Sequence, residues 1–187
     1  MKRVVLLIVV LALAAPFAAL AEETHYQPGN VLASIGVGAG WGYGGFGLWV
    51  YPGAEFMFAK ANLGGAFPLD FGIALKGIVG FSWARYIDIG AGAFGTAHLS
   101  FRALNIDAPF LDPLDLWLGL GLAASLHIPY GGAGGWLGWP IYPAAVAGIN
   151  YFLNDRLALT FSAGYWGTGG GYVGILYKLG KGEKLVK

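Results

Sequence analysis

From Tyr86 to Arg102 the side chains alternate without a break. Ile87, Ile89, Ala91, Ala93, Gly95, Ala97, Leu99 and Phe101 carry no charge or hydrogen-bonding group, whereas the even positions are Tyr86, Asp88, Gly90, Gly92, Phe94, Thr96, His98, Ser100 and Arg102. Successive side chains of a β-strand point to opposite faces, so such a strand has one greasy face and one polar or small face. A helix would scatter Asp88, His98 and Arg102 around its circumference. The run exceeds the roughly five or six residues of an average globular strand. A strand of this length and polarity fits a membrane crossing.

The rest of the chain repeats the pattern. Strands are expected over 30–40, 46–59, 69–82, 86–102, 114–128, 139–153, 156–166 and 172–179, with connections between them. Pro52-Gly53 interrupts the second, and proline inside a strand normally marks a bulge, so inward facing beyond it is less firmly set. Pro140 and Pro143 make 139–153 the weakest strand. Between Asp115 and Asp155 lies no Asp, Glu, Lys or Arg, but the prolines and the glycines of 131–138 cut that stretch into pieces too short for a spanning helix. Eight strands is an even number, and closure leaves no unpaired edge in lipid. The expected fold is all-β: an eight-stranded antiparallel up-and-down transmembrane β-barrel.

The N-terminus supports export. Lys2 and Arg3 precede an apolar run over 4–15, and Ala19-Leu20-Ala21 is a small-x-small cleavage site, so 1–21 reads as a signal peptide. The remaining division is a polar periplasmic leader over 22–29, the barrel over 30–179 and a basic periplasmic tail over 180–187. Loss of Lys2 and Arg3 leaves nine basic against ten acidic residues, a balance that gives nucleic acid no basic field to bind. There is no cysteine, hence no disulfide scaffold. Charged residues make up 11% of the chain, against about 25% in water-soluble domains. The 33 glycines, all after residue 21, argue against long helices.

Tryptophan gives an independent indication. Trp41, Trp49, Trp83, Trp136, Trp139 and Trp166 fall at or near alternate turns, at one end of a barrel, and Trp117 at the other. Tryptophan favours the lipid–water interface, so Trp41, Trp83, Trp136, Trp139 and Trp166 are expected in one aromatic girdle.

The last strand carries the most specific pattern: Tyr172, Gly174, Tyr177 and Leu179 are spaced as polar, x, Gly, x, x, aromatic, x, apolar. Through it and the eight alternating segments the mature chain resembles the small outer-membrane barrels of the OmpA, OmpX and OmpW type. The resemblance implies residence in the bacterial outer membrane with both termini periplasmic, contact with its lipids, a monomer, and insertion by the barrel assembly machinery. Two features depart from the family: the chain continues past Leu179, and the external turns are short with Arg85 as their one charge. The latter suggests an outer leaflet of low charge.

Parity points Asp70, Lys76, Asp88, His98, Arg102, Asp115, His127 and Lys178 inward, with Glu55 if facing survives Pro52. Buried charges persist when paired, so a mutually paired polar network is expected in a lumen that side chains fill. The inward glycines 36, 38, 72, 80, 90, 92, 119 and 121 either leave a narrow polar path or relieve crowding beside Trp49, Phe94 and Trp117. His98-Leu99-Ser100 resembles the His-x-Ser pair of outer-membrane lipid-modifying enzymes such as lipid A deacylases, but no acidic partner can be assigned. Two histidines are too few for a metal site on their own. Gly36-Val37-Gly38 is no phosphate loop, since neither a helix nor a lysine follows at the needed spacing. The expected role is passive, in envelope structure or permeation of small or hydrophobic molecules, without cofactor or metal; lipid modification through His98 and Ser100 is the alternative.

Overall fold

The computed structural model describes residues 24–42, 45–63, 67–83, 86–104, 107–130, 141–166 and 169–179. Its strands are β1 (Val31–Gly42), β2 (Gly45–Leu63), β3 (Phe67–Ser82), β4 (Tyr86–Ser100), β5 (Leu114–Pro129), β6 (Ile141–Phe152), β7 (Leu157–Tyr165) and β8 (Gly169–Leu179). They pair antiparallel in chain order and close, with β8 against β1 from Val31↔Leu179 to Trp41↔Gly169. Closure gives every strand two partners and leaves no edge.

The alternation sets which way each strand faces. In β4 the even positions from Asp88 to Ser100 are buried and the odd positions lie outside. Every strand contributes exposed aliphatic or aromatic residues, such as Ile35, Leu48, Leu75, Ile89, Leu120, Ile149, Phe161 and Val173. Apolar patches on soluble monomers rarely exceed a few hundred Å². Here the apolar surface runs round the barrel, and the charged strand residues lie within.

Several boundaries differ from expectation. The irregularity foreseen at Pro52 lies instead between Met57 and Ala59, where the β2–β3 register shifts. Pro52 pairs with Ile35 and turns outward, and its other neighbour, Gly77, has no side chain to collide with the ring. Facing therefore survives Pro52, and Glu55 lies inside. Beyond the shift the ladder resumes at Ala59↔Phe71 and continues to Leu63↔Phe67, which shortens the connection expected over 60–68.

The glycines at 169–171, expected in a turn, belong to β8 because β1 supplies partners in Trp41, Gly40 and Ala39 across the closing seam. Strand β4 stops at Ser100, and Phe101–Leu104 forms a 3-10 turn. The expected strand residues 139 and 140 lie outside the described residues, as do 1–23 and 180–187.

The largest departure is the segment expected as a polar leader. Gly29, with a φ of 92°, turns the chain as its N–H donates to the Met57 carbonyl at 2.7 Å. An L side chain rarely adopts that φ. Gln27 N–H donates to Asn30 Oδ1 at 2.8 Å, closing the turn. Thr24, His25 and Tyr26 are thereby folded back into the barrel mouth, with Tyr26 wholly buried.

Candidate functional site

The lumen has three levels. At the end bearing the termini, His98 on β4 lies between two carboxylates: Nδ1 is 2.9 Å from Asp115 Oδ2 and Nε2 is 3.0 Å from Glu55 Oε1. A carboxylate only accepts hydrogen bonds, so an imidazolium donating from both nitrogens satisfies the pair. Thr96 also donates to Glu55. Asp115 Oδ2 accepts from the Tyr26 hydroxyl at 2.7 Å and from Asn150 Nδ2 at 2.7 Å. Tyr26 meets the His98 ring edge-on at 4.9 Å between centroids.

The N-terminal segment completes this level. Thr24 Oγ1 donates to Asp70 Oδ1, which lies 3.7 Å from Lys60 Nζ. The His25 ring stacks on Phe152 at 4.1 Å, its Nε2 donates to the Asp112 carbonyl at 2.8 Å, and its backbone N–H donates to Ser100 Oγ at 3.2 Å. Lys178 Nζ donates to the His25 carbonyl at 2.8 Å. Burial holds the His25 imidazole below its ordinary pKa, against the opposing pull of the Asp112 carbonyl.

Rings fill the middle level. Tyr51 stacks on Tyr172 at 4.6 Å, and Trp166 lies against both Tyr51 and Phe94. Lys76 Nζ sits 4.4 Å from the centre of the Trp117 ring, a cation–π contact. The inward glycines admit these rings rather than a channel. A Cβ on Gly92 would stand 2.6 Å from the Phe94 ring, and one on Gly148 2.6 Å from the Trp117 indole nitrogen. Lys76, Trp117, Asn150 and Tyr172 line a residual cavity of about 10 Å³, room for one water.

At the opposite end, Asp88 and His127 face each other across the β4–β5 ladder. His127 Nδ1 is 2.6 Å from Asp88 Oδ1, and its Nε2 is 3.2 Å from Ser125 Oγ. Trp49 Nε1 donates to Asp88 Oδ2 at 3.1 Å.

Of the residues expected to form one interior network, the structure joins His98 and Asp115 through a hydrogen bond and sets Asp70 beside them under the N-terminal segment. Lys76 stands at the ring level, Asp88 and His127 at the far end, and Lys178 at the terminal mouth. Arg102 is a correction. The 3-10 turn carries it off the inward face, and its half-exposed side chain lies 3.8 Å from Asp155.

Trp166 is a second correction. Trp41 and Trp83 are exposed on the outside as a girdle requires, but Trp166 is 2% exposed and packs inside, where Tyr51 and Phe94 offer more contact than the surface. Trp136 and Trp139 lie outside the described residues. In β8, Tyr172 faces inward, Gly174 packs against the β1 backbone at Ile35 and Gly36, and Tyr177 and Leu179 face outward.

The alternative catalytic pair is not assembled. Both His98 ring nitrogens are occupied by carboxylates, and Ser100 accepts from the His25 backbone instead. Among the described residues no group of His, Asp and Glu is arranged to hold a metal. Sequence reasoning missed the buried Tyr26 and Asn150. It singled out His127 as an inward residue but not Ser125 beside it.

No protein-family model matches the chain, and no curated protein matches it either. Among solved structures, the outer membrane protein OprG from Pseudomonas aeruginosa superposes with a TM-score of 0.51 at 10% identity, over 85% of this chain and 100% of that one. Neisserial surface protein A gives 0.49 at 14% identity, over 80% and 96%. Ail, the attachment invasion locus protein of Yersinia pestis, gives 0.46 at 14% identity, over 82% and 100%. With eight antiparallel strands closed in chain order, this chain has the fold of the small eight-stranded outer-membrane barrels.

Proposed function

We propose that this chain is an integral protein of the bacterial outer membrane, delivered by its signal sequence and the barrel assembly machinery, with both termini periplasmic and a passive role in envelope structure. Its inside-out polarity supports the membrane setting. Water is a poor solvent for an outer wall of Leu, Ile, Val and Phe, and hydrocarbon is a good one.

The observation that carries the structural role is the filled lumen. Tyr26, Trp117, Phe94, Tyr51, Tyr172 and Trp166 occupy the space that solute transport would need. An eight-stranded barrel is just wide enough for such filling. The barrel therefore works as a rigid, sealed wall element rather than a pore. Planar-bilayer conductance and uptake of a hydrophobic dye test this. Silence in both is expected, and stepwise conductance or accelerated uptake would overturn it.

Lipid modification through His98 and Ser100 loses its chemical basis, because the base is committed to two acids. A Ser100→Ala variant is expected to leave the envelope lipid profile unchanged by mass spectrometry.

A further inference from the structure

We infer that Ser125, His127 and Asp88 form a nucleophilic triad at the barrel end opposite the termini, able to cleave small carboxylic esters that arrive from water. This goes beyond the structural role and does not depend on it.

The connectivity is the one that ester hydrolysis requires. A nucleophilic hydroxyl needs a base within hydrogen-bond reach, and the base needs a third group to fix its tautomer. Asp88 Oδ1 lies 2.6 Å from His127 Nδ1 and can only accept, so it holds the ring with Nδ1 protonated. That leaves the Nε2 lone pair aimed at the Ser125 hydroxyl, 3.2 Å away. Trp49 Nε1 anchors the far oxygen of Asp88, which keeps the carboxylate from rotating away. The positions follow from strand geometry: Ser125 and His127 share a face of β5, and β4 sets Asp88 directly opposite His127.

A second observation lies beside the nucleophile. The Tyr142 hydroxyl oxygen on β6 is buried and interacts with the Ser125 hydroxyl. It is the donor that a developing oxyanion beside Ser125 needs.

In the reaction, Ser125 Oγ attacks the acyl carbon while its proton passes to His127 Nε2. The bond to the alcohol oxygen breaks as that proton moves to the leaving group, which leaves an acyl-serine. Water then attacks with His127 again as base, releasing the carboxylic acid and restoring Ser125. The substrate class follows from facing. The triad points into the lumen near the strand ends, with Asp88 third in β4 and His127 third from the end of β5. An acyl chain in the surrounding lipid meets the other face, so the ester must be water-borne and small.

The test uses the full barrel in detergent and in phosphatidylcholine vesicles, with folding checked by boiled and unboiled gel mobility. A fluorophosphonate probe is expected to form one adduct, mapped to Ser125, and p-nitrophenyl acetate to be hydrolysed. Ser125→Ala should abolish the adduct and lower kcat by a factor on the order of 10⁴ or more. Tyr142→Phe should lower kcat about 10²-fold. Asp88 is a positioning residue, so Asp88→Asn should lower kcat by a factor on the order of 10⁴ with KM unchanged. Ser100→Ala, at the other end, should label and turn over as the parent does. A folded barrel that takes no adduct, an adduct on another serine, or turnover that survives Ser125→Ala would overturn the proposal.

Discussion

The two ends of the lumen each hold a histidine on a carboxylate, and they differ in what occupies the second nitrogen. His98 meets a second acid there, Glu55 at 3.0 Å, so the ring serves as a cation shared between two anions. His127 meets a hydroxyl, Ser125 at 3.2 Å, from which its Nε2 can accept a proton. The first arrangement consumes every hydrogen-bonding position of its histidine in holding strands together. The second sets one position against a nucleophilic hydroxyl. What separates a structural histidine from a reactive one here is the partner of a single nitrogen, not burial, since both rings are buried.

The contrast breaks first at His98. His98→Ala leaves Glu55 and Asp115 buried and uncompensated, so we expect a loss of about 3–5 kcal/mol in urea unfolding from lipid vesicles. Glu55→Gln together with Asp115→Asn should recover most of it; a His98→Ala barrel of parental stability would show that this ion cluster holds nothing. His127→Ala should cost less, about 1–3 kcal/mol, because Asp88 keeps its Trp49 donor. Equal losses at the two histidines would erase the distinction. Tyr26→Phe removes one hydrogen bond from an acceptor that retains Asn150 and His98, and about 1 kcal/mol is the expected change in the same assay.

The smallest effect belongs to pH. Burial lowers the His25 pKa from its ordinary 6.5, so the released segment binds a proton more readily than the docked one. Docking is therefore strongest above that ordinary value and weakens as pH falls through it toward the lowered one. Amide protection over 24–30, taken relative to the intrinsic exchange rate at each pH, should be lower at about pH 5 than at about pH 7.5. Equal protection at both would remove His25 from the balance.

Much of the fold was legible because a period of two is written into side chains one strand at a time. Eight runs such as 114–128 announce their facing without knowledge of their neighbours. What the sequence conceals is what closure decides. Glycines 169–171 read as a turn until β1 is set beside them. The pairing of Glu55 with His98 spans two strands that are not adjacent, so no spacing along the chain records it. Arg102 followed the alternation by parity, yet the backbone had already left the strand. The short polar stretch before β1 carried no periodicity at all. Its burial depends on partners scattered through the barrel, which is why its fit inside the mouth could not be read.

That scatter has a consequence for the order of assembly. The segment around Tyr26 takes its contacts from Asp70 on β3, Ser100 on β4, Asp115 on β5, Asn150 and Phe152 on β6, and Lys178 on β8. These groups converge only after the last strand has zipped to the first. The earliest stretch of the described chain is thus the last to find its place, once the barrel has closed. Contacts made so late slow escape without hastening arrival. The segment acts as a latch on the finished barrel, setting how long it lasts and leaving how fast it forms to the strands.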